Sequence, residues 1–110
     1  MSDSQRLAAL IWCPFPDEAA ARLAAAALLD ERLIACANLV PTMESLFAWQ
    51  GRRDAAREAG ALFKTTASRL DAAMARLGAL HPYDTPAITG WTVQADAGTL
   101  AWLQEETGEA

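Results

Sequence analysis

The chain has 110 residues, 53% hydrophobic and 21% charged, which excludes disorder and fits one core. Its most apolar run, AAARLAAAALL, is broken by Arg22 and flanked by Asp17, Glu18, Asp30 and Glu31, which excludes a membrane span. The net charge is −5, and the adjacent pair Arg52-Arg53 is followed at once by Asp54, so no basic stripe offers itself to nucleic acid.

The start, MSDSQRLAAL, lacks a basic segment followed by a long apolar stretch, so a cytoplasmic protein without a secretory signal is expected. LAALIWC reads as a buried strand ending at the PFP break. Pro16 suits the first turn of a helix, with Asp17 and Glu18 against its dipole. Ala20, Leu23, Ala24, Ala27 and Leu28 recur at helical spacing and predict an apolar face, the helix running to about Arg32.

LIACANLVPTMESLFAWQG predicts a long strand with a bulge or bend at Pro41, which cannot donate to a ladder. Phe47 and Trp49, two residues apart, share one face of it, and Gly51 closes a turn. RRDAAREAGALFKTTA returns as the second arm of a hairpin. Its Ala and Glu content favours a helix, but Gly60 and the following LFKTT favour a strand.

Ser68 and Asp71 have the form of a capping box, and Leu70, Ala73, Met74 and Leu77 give a second amphipathic helix. It stops near Leu80, because Pro82 disfavours helical geometry at His81. PAITGWTV reads as a fourth strand and GTLAWLQEE as a short terminal helix. No repeats or low-complexity linkers interrupt residues 1–110, which form one unit. The order strand, helix, strand, strand, helix, strand is the α+β, ferredoxin-like βαββαβ sandwich with a long hairpin and a C-terminal helix.

Five blocks in register, ERLIACANLVP, SLFAWQG, LFKT, LHPYDTPAI and LAWL, resemble the CutA family of divalent-cation tolerance proteins over nearly the whole chain. The resemblance implies a homotrimer reminiscent of PII signalling proteins, no established catalytic residues, and a link with copper and other divalent metals. It also implies copper contact by a cysteine after the first strand and by the HPY histidine, here Cys13 and His81. The chain departs from the family pattern at Ala48, usually aromatic, at Ala87, often glutamate, at Thr99, typically tyrosine, and at Leu80, a histidine in some members.

Topology brings the same two residues together. The first and second strands are parallel across a helix crossover, so Cys13 and Cys36 fall near opposite ends of the sheet and stay free thiols. The fourth strand runs antiparallel to the first, which places His81 beside Cys13. Thiolate and imidazole suit copper, but two ligands give a weak site that folding does not require, unless a neighbouring protomer contributes a further ligand. As a plain joint, HPYDTP fixes the start of the fourth strand, and Tyr83 packs with its hydroxyl partnered.

A Cys13–His81 nucleophilic dyad oriented by Asp84 is the enzyme reading. It is the weakest, because no glycine-rich phosphate loop, GxSxG or HExxH is present. Phe47, Trp49, Glu58, Lys64 and Tyr83 are candidates for an inter-subunit or ligand cleft. Lys64 either lines that cleft or pairs with Glu44 or Glu58. In a PII-like sensor, Lys64 and Arg52 would contact a small anion or nucleotide. No membrane partner is expected.

Overall fold

The computed structural model describes residues 7–109, and the alternation of its first strand sets the layers. In β1 (Ala8–Phe15), Ile11, Cys13 and Phe15 are fully buried while Leu10, Trp12 and Pro14 are half-buried. The chain continues with α1 (Glu18–Asp30), β2 (Cys36–Trp49), β3 (Arg52–Thr66), a 3-10 turn (Ala67–Arg69), α2 (Leu70–Leu80), β4 (Thr89–Val93) and α3 (Ala97–Glu106). The sheet order is β2-β3-β1-β4 with every neighbour antiparallel, so β1 and β2 are parallel, as the ferredoxin-like reading requires. Ala21, Ala24, Ala25 and Leu28 of α1 and Ala73 and Leu77 of α2 pack on Ile11, Cys13, Phe15, Ala61 and Phe63. Among the described residues no helix is long and apolar enough to cross a membrane.

The hairpin follows its sequence closely. Gln50 and Gly51 form a two-residue loop with φ of 52° and 76°, the left-handed pair whose twist matches the flanking strands. Val40 faces Gly60 and Met43 faces Glu58, so Pro41 and Thr42 together oppose Ala59: the expected bulge at Pro41. Seven cross-strand pairs, from Met43↔Glu58 to Trp49↔Arg52, project beyond Phe15↔Ala59, where β1 ends. That overhang explains a longest dimension of 46 Å against 25 and 22 Å.

Several local expectations are corrected. β1 does not stop before Pro14 but runs through it to Phe15. β4 pairs with β1 only from Val93↔Ala8 to Thr89↔Trp12, so Pro14 turns its missing donor to a vacated edge. For the same reason β4 starts at Thr89 rather than Pro86. Pro16 lies outside α1: Asp17 is the N-cap and accepts from the Ala20 N–H at 2.8 Å.

α1 ends at Asp30, short of Arg32, in a Schellman turn. The Arg32 N–H bonds Leu29 O and the Leu33 N–H bonds Leu28 O, with Arg32 itself left-handed at φ 59°. The helix is also rotated from the expected face, leaving Leu23 74% exposed. In so alanine-rich a helix several stripes are almost equally apolar, and periodicity does not choose among them.

The Ser68–Asp71 capping box does not form. Ser68 sits in the 3-10 turn and donates to Glu109, whose carboxylate also accepts from Thr66 Oγ1 at 2.8 Å and pairs with Arg69 Nε at 2.8 Å. Arg69 Nε is fully buried and meets Glu109 as a charge, off the axis of a true hydrogen bond. The cysteines are both free, but they are not at opposite ends of the sheet. Cys36 shares a register line with Leu10 through Lys64, and Cys13 shares one with Leu39 through Ala61. They are three positions and two strands apart, about 10 Å along and about 10 Å across the sheet, still beyond disulfide reach.

Two glycines test the packing. A Cβ on Gly60 would stand 2.4 Å from the Trp12 ring, and one on Gly90 would stand 2.6 Å from Met74 Sδ and 2.9 Å from Leu70 Cδ1. Met74 and Leu70 can swing their ends aside, whereas the indole must move as a plate. Gly60→Ala is therefore expected to lower unfolding stability by about 1–3 kcal/mol, and Gly90→Ala by less. Urea denaturation checks this, and the opposite order would contradict the packing described.

Candidate functional site

Pro82 ends α2 at Leu80, and His81 leaves the helix with φ −71° and ψ 138° after a last bond from its N–H to Leu77 O. That turn drops the imidazole onto the edge of β1 that β4 has vacated. Nε2 lies 2.8 Å from Pro14 O, and Nδ1 accepts from the Tyr83 N–H at 3.1 Å. Since Nδ1 is the acceptor, the proton sits on Nε2 and is donated to Pro14 O. The ring stacks on Phe15 at 4.5 Å and 18° and meets Tyr83 at 4.8 Å, and the residue is 7% exposed.

Cys13 is fully buried beside it, and its Sγ donates to the same Pro14 O at 3.4 Å. Burial, helped by the charge of Glu58, pushes the thiol up to about 12. Cys13 and His81 therefore do converge, as topology requires, but as two donors on one carbonyl. Binding a metal needs a thiolate and a bare imidazole nitrogen, and neither is on offer. No group of three or more His, Cys, Asp or Glu positioned for a metal exists among the described residues. The arrangement does not fit a resident metal ion. Nor does it form a dyad, because Sγ bonds Pro14 rather than His81, and the Tyr83 amide, not Asp84, holds Nδ1.

The HPY turn also carries Tyr83 across to β3, where its hydroxyl donates to Glu58 Oε2 at 2.8 Å. Burial first, then the Glu58 hydrogen bond and charge, push the phenol up to about 12. Above this pair the projecting hairpin and the 82–87 linker enclose a groove of about 390 Å³. Phe47, Trp49, Glu58 and Tyr83 all line it, so four of the five predicted cleft residues come together.

Lys64 does not join them. It lies six residues along β3 from Glu58, opposite Leu10 and Cys36, in a separate cleft with Val93, Asp96 and Leu103. It makes no ion pair with Glu44 or Glu58. Arg52, at the hairpin tip, is twelve residues away on the same strand, about 40 Å. Within one protomer Lys64 and Arg52 cannot share a small anion. Sequence reasoning missed Pro14 O and Phe15, because CPFP reads as a terminator, and it missed the Tyr83–Glu58 bond, which joins residues 25 apart.

Residues 9–106 match the family described as CutA1 divalent ion tolerance protein. The chain is 40% identical over 94 residues to the divalent-cation tolerance protein CutA of Thermus thermophilus, covering 84% of this chain and 91% of that one. It is 38% identical over 101 residues to the protein of the same description from Escherichia coli, covering 91% and 90%. Among solved structures, the divalent ion tolerance protein CutA1 of Ehrlichia chaffeensis superposes with a TM-score of 0.87 at 29% identity, covering 93% and 96%.

The two raised acids make the fold sensitive to alkali. Each is held protonated above its ordinary value, 9.0 for Cys13 and 10.0 for Tyr83, so the stability each contributes is complete below that value. It is lost as pH rises from about 9 through about 12. Urea midpoints should hold steady to about pH 8.5 and then fall, with Cys13→Ala flattening the early part of the fall and Tyr83→Phe the later part. Equal slopes in wild type and both variants would show that neither acid is linked to folding.

Proposed function

The chain belongs to the CutA1 family of divalent ion tolerance proteins, and from that premise we propose that it supports tolerance of divalent metal as a non-catalytic homotrimer. The observation that carries the tolerance reading is the family match across residues 9–106. That Cys13 Sγ and His81 Nε2 both donate to Pro14 O, rather than one to the other, supports a role without catalysis. Metal is then cargo or cue rather than a resident cofactor. Copper contacts Cys13 and His81 only when the Pro14–His81 bond opens, and so weakly. The two free thiols suit a reducing, cytoplasmic setting.

The trimer reading is supported by the hairpin. β2 is an edge strand of 14 residues, and the overhang carries Leu46 at 77% and Trp49 at 55% exposure. A long unpaired apolar edge invites aggregation unless it is covered, and closure about a threefold covers it. Light scattering at micromolar concentration should give about three times the 11.8 kDa chain mass. A mass of one chain would remove the assembly.

For the metal, cells lacking the chain should stop growing at lower copper than cells carrying it, and an unchanged limit would remove the tolerance reading. With purified protein, copper affinity should rise by up to about tenfold per pH unit between about pH 6.5 and 8.5, because the Cys13 thiol must lose its proton. Cys13→Ala and His81→Ala should each weaken binding, while Cys36→Ala should not. Equal binding by all four proteins would place copper elsewhere.

A further inference from the structure

We propose that residues 107–109 form a releasable strap that fastens α3 to the body of the fold, and that unfastening it frees α3 as one unit. The fastener is the Glu109 carboxylate. Its Oε1 accepts from Thr66 Oγ1 at 2.8 Å and lies 2.8 Å from Arg69 Nε, while its Oε2 accepts from Ser68 Oγ. α3 ends in a Schellman turn: the Glu109 N–H bonds Gln104 O, the Gly108 N–H bonds Glu105 O, and Gly108 is left-handed at φ 75°. That turn sends the chain back to the junction of β3 and α2, where Thr66, Ser68 and Arg69 stand.

Two observations make this a switch rather than a fixed tether. α3 has little else to hold it: of its ten residues only Leu103 is buried, and its arginine contacts, to Glu105 O, Glu106 O and Thr107 O, all fall beside the strap. A helix of that length does not persist unsupported, so undoing its last turn undoes the whole of it. The Ser68 hydroxyl, moreover, has a second use. Ser68 and Asp71 carry the spacing of a capping box, yet no side chain caps α2 while Glu109 holds the serine. With Glu109 away, Ser68 can become the N-cap of α2 and accept from the Asp71 N–H. The two arrangements exclude each other, because an N-cap residue is extended whereas Ser68 now sits inside the 3-10 turn. One hydroxyl thus has one partner in each state, and the second partner offsets part of what opening loses. Opening uncovers the cleft of about 340 Å³ that Thr99 and Leu103 share with Leu10, Lys64 and Val93.

Every fastening contact lies within one chain, so the strap does not depend on which surfaces an assembly leaves free, nor on the copper reading. Amide hydrogen exchange on the native assembly, followed residue by residue by NMR, tests it. In wild type the amides from Leu100 to Thr107 should exchange together, and faster than those of Ile11, Cys13 and Phe63. Glu109→Ala should speed the α3 amides at least about tenfold, the worth of one charge-assisted hydrogen bond, and leave the sheet amides unchanged. The same variant should slow exchange at the Asp71 amide, and adding Ser68→Ala should abolish that gain. Glu109→Gln, which keeps the length of the side chain and one acceptor, should give the same pattern at smaller amplitude. Unchanged α3 exchange in Glu109→Ala would overturn the proposal, since a neighbouring copy would then be what holds the helix. So would equal acceleration in the sheet, which is global loosening, or an Asp71 amide that gains no protection, which leaves a tether without a second state.

Discussion

Pro14 has no backbone N–H, and the candidate site is a consequence of that missing donor. Continuing β4 backwards from Thr89↔Trp12 would set Ala87 against Pro14, where the ladder has nothing to receive. The strands part, and the carbonyl of Pro14 is left facing an empty edge. A buried carbonyl without a partner costs free energy comparable to a lost hydrogen bond. His81 supplies the partner from the point where Pro82 ends α2, and so fixes where the linker begins. The linker then places Tyr83 over β3 and Glu58 beneath it. One absent proton donor thus organises the joint, the tyrosine–carboxylate pair and the floor of the groove.

The same logic separates closeness from reactivity. A cysteine and a histidine drawn together by topology look like half of a copper site or of a catalytic dyad. Here the carbonyl between them accepts a hydrogen bond from each, and burial keeps the thiol protonated to about 12. The hydrogen bond that brings His81 to Cys13 occupies the imidazole proton, while burial keeps the thiol from ionising. Any metal contact at this joint must compete with the packing of the HPY turn.

What the sequence made legible was set by local chemistry or by chain topology. Pro41 announced its bulge because a proline in a ladder has few alternatives, and the strand order followed from two crossovers and a hairpin. Even the alanine-rich β3, pulled towards helix by propensity, became a strand because Gly60 sits under the Trp12 ring and LFKTT supplies the rest. The illegible features depend on distant partners. Ser68 and Asp71 had the right spacing for a cap, but Glu109, 41 residues beyond Ser68, takes the serine hydroxyl. The start of β4 was decided by a proline in another strand. Proximity of Cys13 and His81 could be read from topology; the carbonyl between them could not.

The far face of the sheet shows how a weak element is held. α3 has ten residues and fully buries only Leu103, too little for a helix of that length to persist alone. Its last carbonyls are met by arginines instead: Arg32 reaches Glu105 O at 2.9 Å and Glu106 O at 3.1 Å, and Arg69 reaches Thr107 O at 3.0 Å. Arg32 does this from the left-handed end of α1, a position where glycine would be unstrained and arginine costs about 1 kcal/mol. Glycine there would relax the Schellman turn and release α3. The side chain at that turn is therefore explained by the helix it caps 73 residues later rather than by the helix it ends. Anchored this way, α3 covers the sheet around Leu10 and Val93, while Val40 at 39% and Trp91 at 43% exposure stay open beside it. The far face is thus divided between cover supplied by the chain itself and an apolar remainder continuous with the projecting hairpin.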